Sequence, residues 1–317
     1  KLTSCSLGER PYDSRTAAGL RCWDRGTDRK VRIEIRGLGE LSSLTIFYPC
    51  YNEEANVERV TLAALRTASR LCADHEIIIV DDGSRDRTGE IADRLAAEHP
   101  RVRAVHNRPN LGYGGALQRG YREATKDWIF YTDGDGQFDF QEIDQLLPLL
   151  DGYDIVSAFR IRRQDSPIRK VNAFCWTTLV NVVFGLWLRD IDCAFKLFPR
   201  RLFDEIEMKS MGALIDAEVL ARAKRLGYRI GQVGVHHYPR TAGSQTGASI
   251  RVILRAFKEL FLLRREILRT THRRRPHGPP VAGVPPVYGN SGNGGQAAGG
   301  AEHRGTRPIE RRPPEGS

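Results

Sequence analysis

Short apolar runs alternate with longer amphipathic segments through the middle of the chain. The runs are rich in β-branched and aromatic residues, as buried strands are, and they are LTIFY (44–48), EIIIV (76–80), RVRAV (101–105), DWIFY (127–131) and YDIVSA (153–158). Between them, apolar residues such as Val57, Val60 and Ala64 recur at intervals of three and four, which predicts helices. Alternation of this kind predicts an α/β fold with a mostly parallel central sheet and helices on both faces.

Polar motifs directly follow three of the predicted strands. The segment PCYNEE (49–54) comes after the first strand, DDGSRDRT (81–88) after the second, and TDGDGQFD (132–139) after the fourth. Ligands of open α/β sheets bind beyond the carboxyl ends of the strands. We therefore expect the three motifs to meet at one edge of the sheet.

The third motif places Asp133 and Asp135 on either side of Gly134. Two carboxylates this close repel each other unless a cation lies between them. Oxygen ligands of this kind suit Mg²⁺ or Mn²⁺, with the side chain of Gln137 as a further oxygen donor. Asp and Gly are also ordinary turn residues, so this spacing alone divides evenly between a metal site and a solvated turn.

The second motif brings two more carboxylates, Asp81 and Asp82, to the same edge. Asp82 is placed to accept hydrogen bonds from a nucleobase or a ribose, and the alternative is a plain turn with Gly83 and Ser84. The segment NLGYGGALQRGY (110–121) has the character of a phosphate-binding loop that opens a helix, although it lacks the third glycine of G-x-G-x-x-G.

The order of the motifs resembles that of family 2 glycosyltransferases with the GT-A fold, most of all dolichol-phosphate and polyprenyl-phosphate mannose and glucose synthases. The resemblance covers about residues 44–247 and rests on YPCYNEE, IIIVDDGS, NLGYGGALQRG, YTDGDGQFD, SAFR and DIDCAFKLF. It implies an inverting, metal-dependent enzyme that moves a hexose from GDP-mannose or a UDP-hexose to a polyprenyl or dolichyl phosphate. It also implies the GT-A fold.

The same resemblance implies the site residues. The nucleotide sugar would be bound by Pro49, Tyr51, Glu53, Val80, Asp82, Asp133, Gly134, Asp135, Arg160 and Arg240. Asp135 and Gln137 would hold Mg²⁺ or Mn²⁺, and the two arginines would reach the donor phosphates because a guanidinium binds phosphate oxygens in pairs. The alternative for either arginine is a surface charge. Asp135, Arg160 and Asp216 are the expected catalytic residues.

The chain also departs from the mannose synthases on the acceptor side. Thr246 stands where they have a phosphate-binding lysine, and their D-x-T-S-G-F segment begins here with Asp190 and Asp192, which leaves donor and acceptor open. Asp216 and Glu218 lie at the start of a predicted helix, where acids also complement the helix dipole. If the acceptor were a sugar or small-molecule hydroxyl, Asp216 would be the general base, whereas a phosphate acceptor needs none.

Composition divides the chain into four predicted regions. They are a weakly structured N-terminal extension (1–40), the transferase domain (41–248), a basic amphipathic helix (249–272) and a disordered Gly/Pro/Arg-rich tail (273–317). The stripe in the basic helix comprises Ile250, Ile253, Phe257, Leu260, Phe261, Ile267 and Leu268. It either lies in the headgroup plane of an anionic membrane or docks on the domain's own core.

Charge and cysteine content limit which partners and which cellular compartment are expected. The net charge of +10 favours an anionic partner, and six cysteines without a C-x-x-C pair indicate reduced thiols. We expect a cytoplasmic protein with peripheral contact at the cytoplasmic face of the membrane, and the apolar segment 171–188 is at the short limit for a span.

Two other classes fit less well. An oxidoreductase would have G-x-G-x-x-G where PCYNEE stands. A nucleic-acid-binding protein would explain the charge, but the basic residues crowd into the termini and residues 250–275, and clusters of aromatic residues for base stacking are lacking. We therefore expect no nucleic-acid partner.

Overall fold

The structure is a computed structural model that describes residues 20–24, 29–33, 41–161, 167–240 and 250–269. The described strands are β1 (Leu20–Asp24), β2 (Arg29–Ile33), β3 (Leu44–Cys50), β4 (His75–Asp81), β5 (Val102–His106), β6 (Trp128–Thr132), β7 (Ile155–Ile161), β8 (Phe195–Pro199) and β9 (Ile230–His236). The described α-helices are α1 (Val57–Leu71), α2 (Thr88–Glu98), α3 (Gly112–Glu123), α4 (Pro167–Phe184), α5 (Arg201–Glu205), α6 (Ile215–Arg225) and α7 (Ile250–Arg269). Two short 3-10 helices, Phe140–Gln145 and Leu147–Asp151, follow β6.

Seven of the described strands form one sheet in the order β5-β4-β3-β6-β8-β7-β9. β8 runs antiparallel to β6 and β7, and the other neighbours pair in parallel. This confirms the predicted α/β class with a mostly parallel sheet. The five predicted strands are present with ends shifted by at most three residues, whereas β8 and β9 were not predicted.

Helices cover both faces of the sheet, as predicted. Phe47 and Tyr48 are neighbours on β3, so their side chains point to opposite faces. The ring of Phe47 packs edge-on against Tyr121 of α3 with centroids 4.8 Å apart. The hydroxyl of Tyr48 hydrogen-bonds Thr61 Oγ1 of α1 at 2.6 Å. The apolar runs of the sheet are therefore buried between two helical layers.

Helix α7 docks on the domain through one of its faces. Leu260, Leu263 and Ile267 are buried. Leu263 and Ile267 pack with Ala221 of α6 and Phe184 of α4, while Leu260 belongs to the main core. Of the other stripe residues, Phe261 and Leu268 remain exposed, while Ile250, Ile253 and Phe257 lie where no side chains are described. Docking on the core therefore accounts for part of the predicted stripe and leaves an outer apolar face.

The regional division of the chain stays a prediction. β1 and β2 pair antiparallel within the predicted N-terminal extension, most of which lies outside the described residues. The predicted tail, 273–317, and Thr246 also lie outside them. Among the helices in the described ranges, none combines the length and the apolar character needed to traverse a bilayer.

Candidate active site

The carboxyl ends of β3, β4 and β6 bring the three polar motifs together. Pro49 of β3 is in register with Val80 of β4, and the backbone N–H of Asp82 donates to the carbonyl oxygen of Cys50 at 2.9 Å. Gly134 follows β6 so closely against β3 that a Cβ would lie 2.6 Å from Cys50 Sγ and 2.7 Å from the Pro49 carbonyl oxygen. The acidic loop after β6 reaches this position because the residue is glycine.

Reciprocal hydrogen bonds fix the loop after β3 to the loop after β4. The N–H of Asn52 donates to Ser84 Oγ at 3.0 Å, and the N–H of Arg85 donates to Asn52 Oδ1 at 2.8 Å. Asn52 has a φ of 56°, a left-handed conformation that asparagine adopts more readily than most residues. Next to this turn, Tyr51 is 37% exposed, in keeping with its predicted contact with the nucleotide.

Glu53 and Arg240 form an ion pair between the loop after β3 and the chain after β9. Arg240 Nη2 donates to Glu53 Oε1, and Arg240 Nη1 lies 3.9 Å from Asp135 Oδ2. Glu53 is held further by its N–H, which donates to Thr88 Oγ1 at 2.7 Å, and by Asn56 Nδ2, which donates to its carboxylate at 2.8 Å. The guanidinium of Arg240 thus stands between two of the predicted binding residues.

Asp82 and Val80 lie deeper than the other predicted residues. Asp82 is 3% exposed, and its Oδ1 accepts hydrogen bonds from Asn107 Nδ2 and from the N–H of Leu111, both at 2.9 Å. One carboxylate oxygen is therefore committed to the protein. Val80 is fully buried, so it lies beneath the site and supports Pro49 rather than lining the open surface.

Asp133 and Asp135 lie half-buried after β6, and with Glu53 and Arg240 they form what we call the β6 cluster. The hydroxyl of Tyr113 donates to Asp133 Oδ1 at 3.2 Å, and the N–H of Gln137 donates to Asp135 Oδ1 at 3.0 Å. Burial, followed by the charge of Asp135, raises the pKa of Asp133 to about 7. The cluster therefore holds more negative charge than its surroundings favour.

Gln137 is bound to Tyr238 through both its side chain and its backbone. It is buried, and its Nε2 donates to the carbonyl oxygen of Tyr238 at 2.8 Å. The backbone carbonyl oxygen of Gln137 accepts from the N–H of Tyr238 at the same distance. Because the amide nitrogen is engaged with the chain after β9, the side-chain oxygen is the atom that the predicted metal site would use.

A second group of charged side chains, the β8 cluster, comprises Arg160, Asp190, Asp192, Lys196 and Asp216. Arg160 donates through Nε and Nη2 to the carboxylate of Asp190 at 2.7 and 2.9 Å. Lys196 is fully buried, and its Nζ donates to Asp216 Oδ1 at 2.6 Å. Burial, followed by the charges of Asp216 and Asp190, raises the pKa of Asp192 to about 6. The guanidinium of Arg160 is thus paired with an acid, and its contact with the donor phosphates stays a prediction.

Asp216 and Glu218 share the first turn of α6, but their roles differ. Burial raises the pKa of Asp216, and the nearby ammonium of Lys196 opposes that rise. Glu218 is fully buried, and it accepts from the N–H of Ser210 at 2.7 Å and from Arg222 Nε at 2.8 Å. Glu218 therefore anchors the loop before α6, and only Asp216 belongs to the β8 cluster.

The glycine-rich segment is explained by packing. The N–H of Gly114 donates to the carbonyl oxygen of Met211 at 3.0 Å, and a Cβ on Gly114 would lie 2.6 Å from the carbonyl oxygen of Ser210. A Cβ on Gly115 would lie 2.8 Å from the terminal methyl of Met211. These glycines let α3 approach the loop before α6, and the described contacts assign them to this approach rather than to phosphate.

Two residues of the site were missed in the sequence. Tyr113 lies within the glycine-rich segment, where nothing in the local pattern marks its contact with Asp133. Lys196 interrupts the apolar run AFKLF, and this signal was available, since lysine is almost never fully buried unless it is paired. Its partner, Asp216, could not be identified from the sequence pattern.

The chain has relatives among well-described proteins. It is 35% identical over 209 residues to the glycosyltransferase AglD of Haloferax volcanii, an alignment that covers 62% of this chain and 33% of that protein. It is 29% identical over 167 residues to undecaprenyl-phosphate 4-deoxy-4-formamido-L-arabinose transferase of Aeromonas hydrophila, covering 52% of this chain and 51% of that protein. The chain thus spans a third to a half of the length of these curated relatives.

A solved structure and a family model complete the comparison. Glucosyl-3-phosphoglycerate synthase from Mycobacterium tuberculosis, solved in complex with UDP, has a TM-score of 0.51 at 21% identity, covering 71% of this chain and 79% of that chain. At this identity the likeness supports the fold alone, and it agrees with the GT-A expectation. Residues 45–207, just over half of the chain, match the model of glycosyl transferase family 2. The chain therefore belongs to glycosyl transferase family 2, as the order of its motifs indicated.

Proposed function

We propose that this chain transfers a hexose, with inversion, from a nucleotide sugar to a polyprenyl phosphate. The observation that carries the proposal is the β6 cluster, in which two half-buried carboxylates and a guanidinium meet where open α/β sheets bind their ligands. Family membership supports glycosyl transfer. The presence of UDP in the solved structure with the same fold supports a nucleoside diphosphate as the donor's leaving group.

The β6 cluster fits a divalent cation, Mg²⁺ or Mn²⁺. Burial and the charge of Asp135 raise the pKa of Asp133, and a bound cation would oppose both effects by stabilising the ionised carboxylate. Asp135 and the side-chain oxygen of Gln137 are the proposed ligands, and a bound cation would neutralise charge on the departing diphosphate. In the described part of the chain, no three His, Cys, Asp or Glu side chains lie together as a metal-binding group, so phosphate oxygens of the donor would complete the ligand set.

The chain's own residues would bind and orient the donor. Tyr51 is exposed beside the nucleotide position, and Asp82 keeps its Oδ2 for the base or ribose while Oδ1 holds the loop before α3. Arg240 would exchange the carboxylate of Glu53 for phosphate oxygens, which preserves its charge pairing. Arg160 would act on the phosphates while it remains braced by Asp190.

A phosphate acceptor suits the state of Asp216. This carboxylate is 4% exposed and is bound by Lys196 Nζ at 2.6 Å, so it is poorly placed to take a proton from an incoming hydroxyl. A phosphate is already ionised at neutral pH and needs no base. The relative that acts on undecaprenyl phosphate points the same way. We therefore favour the polyprenyl phosphate over the sugar or small-molecule hydroxyl.

The outer face of α7 offers a place for contact with lipid. Phe261, Leu262 and Leu268 are 59%, 57% and 49% exposed, and Arg264, Arg265 and Arg269 are exposed among them. Apolar side chains flanked by arginines suit the headgroup plane of an anionic bilayer. Peripheral contact with the cytoplasmic face of a membrane would bring a lipid-linked acceptor to the site.

The donor half of the proposal is tested by calorimetric binding of UDP and GDP with and without Mn²⁺. For the nucleotide that fits, we expect Mn²⁺ to tighten binding by about tenfold or more, which corresponds to about 1.4 kcal/mol. Asp135→Ala should abolish this dependence. Asp151→Ala is the matched control, since Asp151 is an exposed aspartate that precedes the amino end of β7. Equal affinity with and without Mn²⁺ in the unmodified chain would contradict the metal site.

The acceptor half is tested by transfer of radiolabelled sugar from GDP-mannose and from several UDP-hexoses. Undecaprenyl phosphate, dolichyl phosphate and soluble hydroxyl acceptors are offered separately, and the product is separated by extraction into organic solvent. We expect label in the lipid phase only. Label found only on hydroxyl acceptors would show that the phosphate assignment is wrong and would return Asp216 to the role of base.

The membrane contact is tested by sedimentation with vesicles. We expect binding to phosphatidylglycerol vesicles that weakens as salt is added, and little binding to phosphatidylcholine vesicles. Replacing Phe261 and Leu262 by serine should reduce binding. Replacing the exposed Met211, which lies outside α7, by serine should not reduce binding. Equal binding by both variants would remove α7 as the contact surface.

A further inference from the structure

Lys196 is a fully buried lysine in the middle of the sheet. It lies on β8, the antiparallel strand, in register with Tyr131 of β6 and Ser157 of β7. Its Nζ donates to Asp216 Oδ1 at 2.6 Å and to the carbonyl oxygen of Cys193 at 2.5 Å. An ammonium group this deep carries a large desolvation cost, which its two hydrogen-bond partners oppose.

Stability gives no reason for a charged pair at this position. Buried ion pairs can often be replaced by apolar or neutral side chains of similar volume without loss of stability, and sometimes with a gain. Asp216 does gain from its place in the first turn of α6, where the helix dipole favours a carboxylate. That gain needs no lysine, so the presence of Lys196 calls for another explanation.

The surroundings of Asp216 supply one. Three other carboxylates act on it, those of Asp133, Asp190 and Asp192, and the opposing cations are Lys196 and Arg160. The tyrosines that face it are Tyr113, Tyr121 and Tyr131. Arg160 is already committed to Asp190 through two hydrogen bonds. Lys196 is thus the cation that binds Asp216 directly, and through Cys193 it also holds the turn next to Asp192.

A short chain of contacts joins Lys196 to the β6 cluster. Lys196 Nζ lies 5.5 Å from the ring centroid of Tyr131. The hydroxyls of Tyr131 and Tyr113 are hydrogen-bonded, and Tyr113 donates to Asp133. The lysine therefore lies on the side of the site away from Glu53 and the loop after β3, and it is separated from the acidic loop by two aromatic rings.

We infer that Lys196 is a positioning residue for the acceptor. By binding Asp216 and the Cys193 carbonyl, it fixes the carboxylates of the β8 cluster. This cluster lies across β6 from the loop after β3, where the proposed function puts the nucleotide, so the acceptor would approach the donor sugar on this side. This inference rests on the proposed function and names a residue through which it works. Lys196 is fully buried and would act through Asp216, so its loss should slow transfer and leave nucleotide binding intact.

The test compares Lys196→Met, Asp216→Asn and the double variant carrying both. Lys196→Met alone leaves a buried carboxylate without its cation, so we expect a lower melting temperature. The double variant replaces the ion pair by a neutral pair of similar size, and its melting temperature should return to within a few degrees of the unmodified protein. Its kcat for sugar transfer should nevertheless fall tenfold or more, while its affinity for UDP or GDP with Mn²⁺ stays within twofold.

Lys126→Met is the matched control, because Lys126 pairs with Asp74 at the opposite end of the sheet, just before β6 begins. It should change neither kcat nor nucleotide affinity. A stable double variant that transfers sugar at the normal rate would overturn this inference alone and leave a structural pair. Absence of transfer by the unmodified chain with every donor and acceptor would overturn the proposed function and this inference with it.

Discussion

The β6 cluster and the β8 cluster lie in one site, yet they differ in how their buried carboxylates are paired with cations. In the β8 cluster, Arg160 binds Asp190 through two hydrogen bonds and Lys196 binds Asp216, so the chain supplies cations for these two carboxylates. In the β6 cluster, Arg240 binds Glu53 and comes no closer than 3.9 Å to Asp135. Asp133, beside it, has its pKa raised to about 7 by burial and by Asp135.

This difference agrees with the proposed function, in which the β6 cluster binds the cation and the β8 cluster does not. A cluster with internal counter-charges is rigid and changes little when ligands arrive. A cluster with surplus negative charge is destabilised on its own, and a cation with its diphosphate would complete it. We therefore expect removal of a cation from the β8 cluster to lower stability, and charge-removing substitutions in the β6 cluster to raise it while function is lost.

The largest effect expected is that of Arg160→Met. The carboxylate of Asp190 is only 8% exposed, and this change would leave it without its guanidinium partner. Removing one member of a buried ion pair costs about 3 kcal/mol or more. Urea unfolding should therefore show a midpoint well below that of the unmodified protein.

Arg94→Met serves as the control for this change. Arg94 pairs with Glu98 and Glu58 on the surface, where water screens both partners. Its midpoint should move far less than that of Arg160→Met. Similar shifts in the two variants would mean that the Arg160 pair contributes no more than a surface ion pair.

The opposite sign is expected for Asp133→Asn. In buffer with a chelator at pH 8, the carboxylate is ionised although its surroundings disfavour the charge. Removing that charge should raise the free energy of unfolding by about 2 kcal/mol. With Mn²⁺ and the matching nucleotide added, the unmodified protein should gain more stability than the variant. Loss of stability in chelator would break the contrast between the two clusters.

A smaller effect concerns Asp192, the half-buried acid of the β8 cluster. Its pKa is raised to about 6 in the folded protein, against about 3.9 in an unfolded chain. Between these values the folded state binds more protons, so the contribution to stability is present below about pH 4 and is lost as pH rises through 6. We expect the advantage of Asp192→Asn over the unmodified protein to grow by about 1–2 kcal/mol from pH 4.5 to pH 7.5.

Urea unfolding at four pH values, in chelator, measures this difference. Comparing the two proteins at each pH cancels the titration of the β6 cluster, which both retain. A difference that stays constant with pH would mean that Asp192 keeps an ordinary pKa. Burial and the neighbouring carboxylates would then disfavour the charge of Asp192 less than the geometry indicates.

The two clusters also differ in how far the sequence could predict them. The residues of the β6 cluster follow strands directly, so that parallel pairing alone brings Glu53 and Asp135 to one edge. Most of the strands themselves were predictable because their runs are short and rich in β-branched and aromatic residues. β8 and β9 were not, since Lys196 breaks one run and glycines break the other.

The pairings of the β8 cluster could not be predicted in the same way. Arg160 and Asp190 are separated by 30 residues and Lys196 and Asp216 by 20, and they meet only because β8 inserts between β6 and β7. Local patterns hold no information on such an insertion. The sequence therefore located the acids and arginines of the site, but it missed Lys196 and did not show which charges neutralise each other.

The smallest effect is expected for Tyr113→Phe, at the boundary between the clusters. The Tyr113 hydroxyl donates to Asp133 and is hydrogen-bonded to Tyr131, whose ring faces Lys196. Loss of this hydroxyl should cost about 1 kcal/mol of stability. It should also raise the pKa of Asp133 further, because the hydrogen bond from Tyr113 lowers that pKa in the unmodified protein.

Tyr228→Phe removes a comparable hydroxyl, which donates to Glu205 at 3.0 Å away from both clusters. It should cost a similar amount of stability and leave the titration of Asp133, followed by carboxyl NMR, unchanged. If Tyr113→Phe also left that titration unchanged, the hydroxyl would not couple the clusters. The contrast between them would then arise from burial and carboxylate spacing alone.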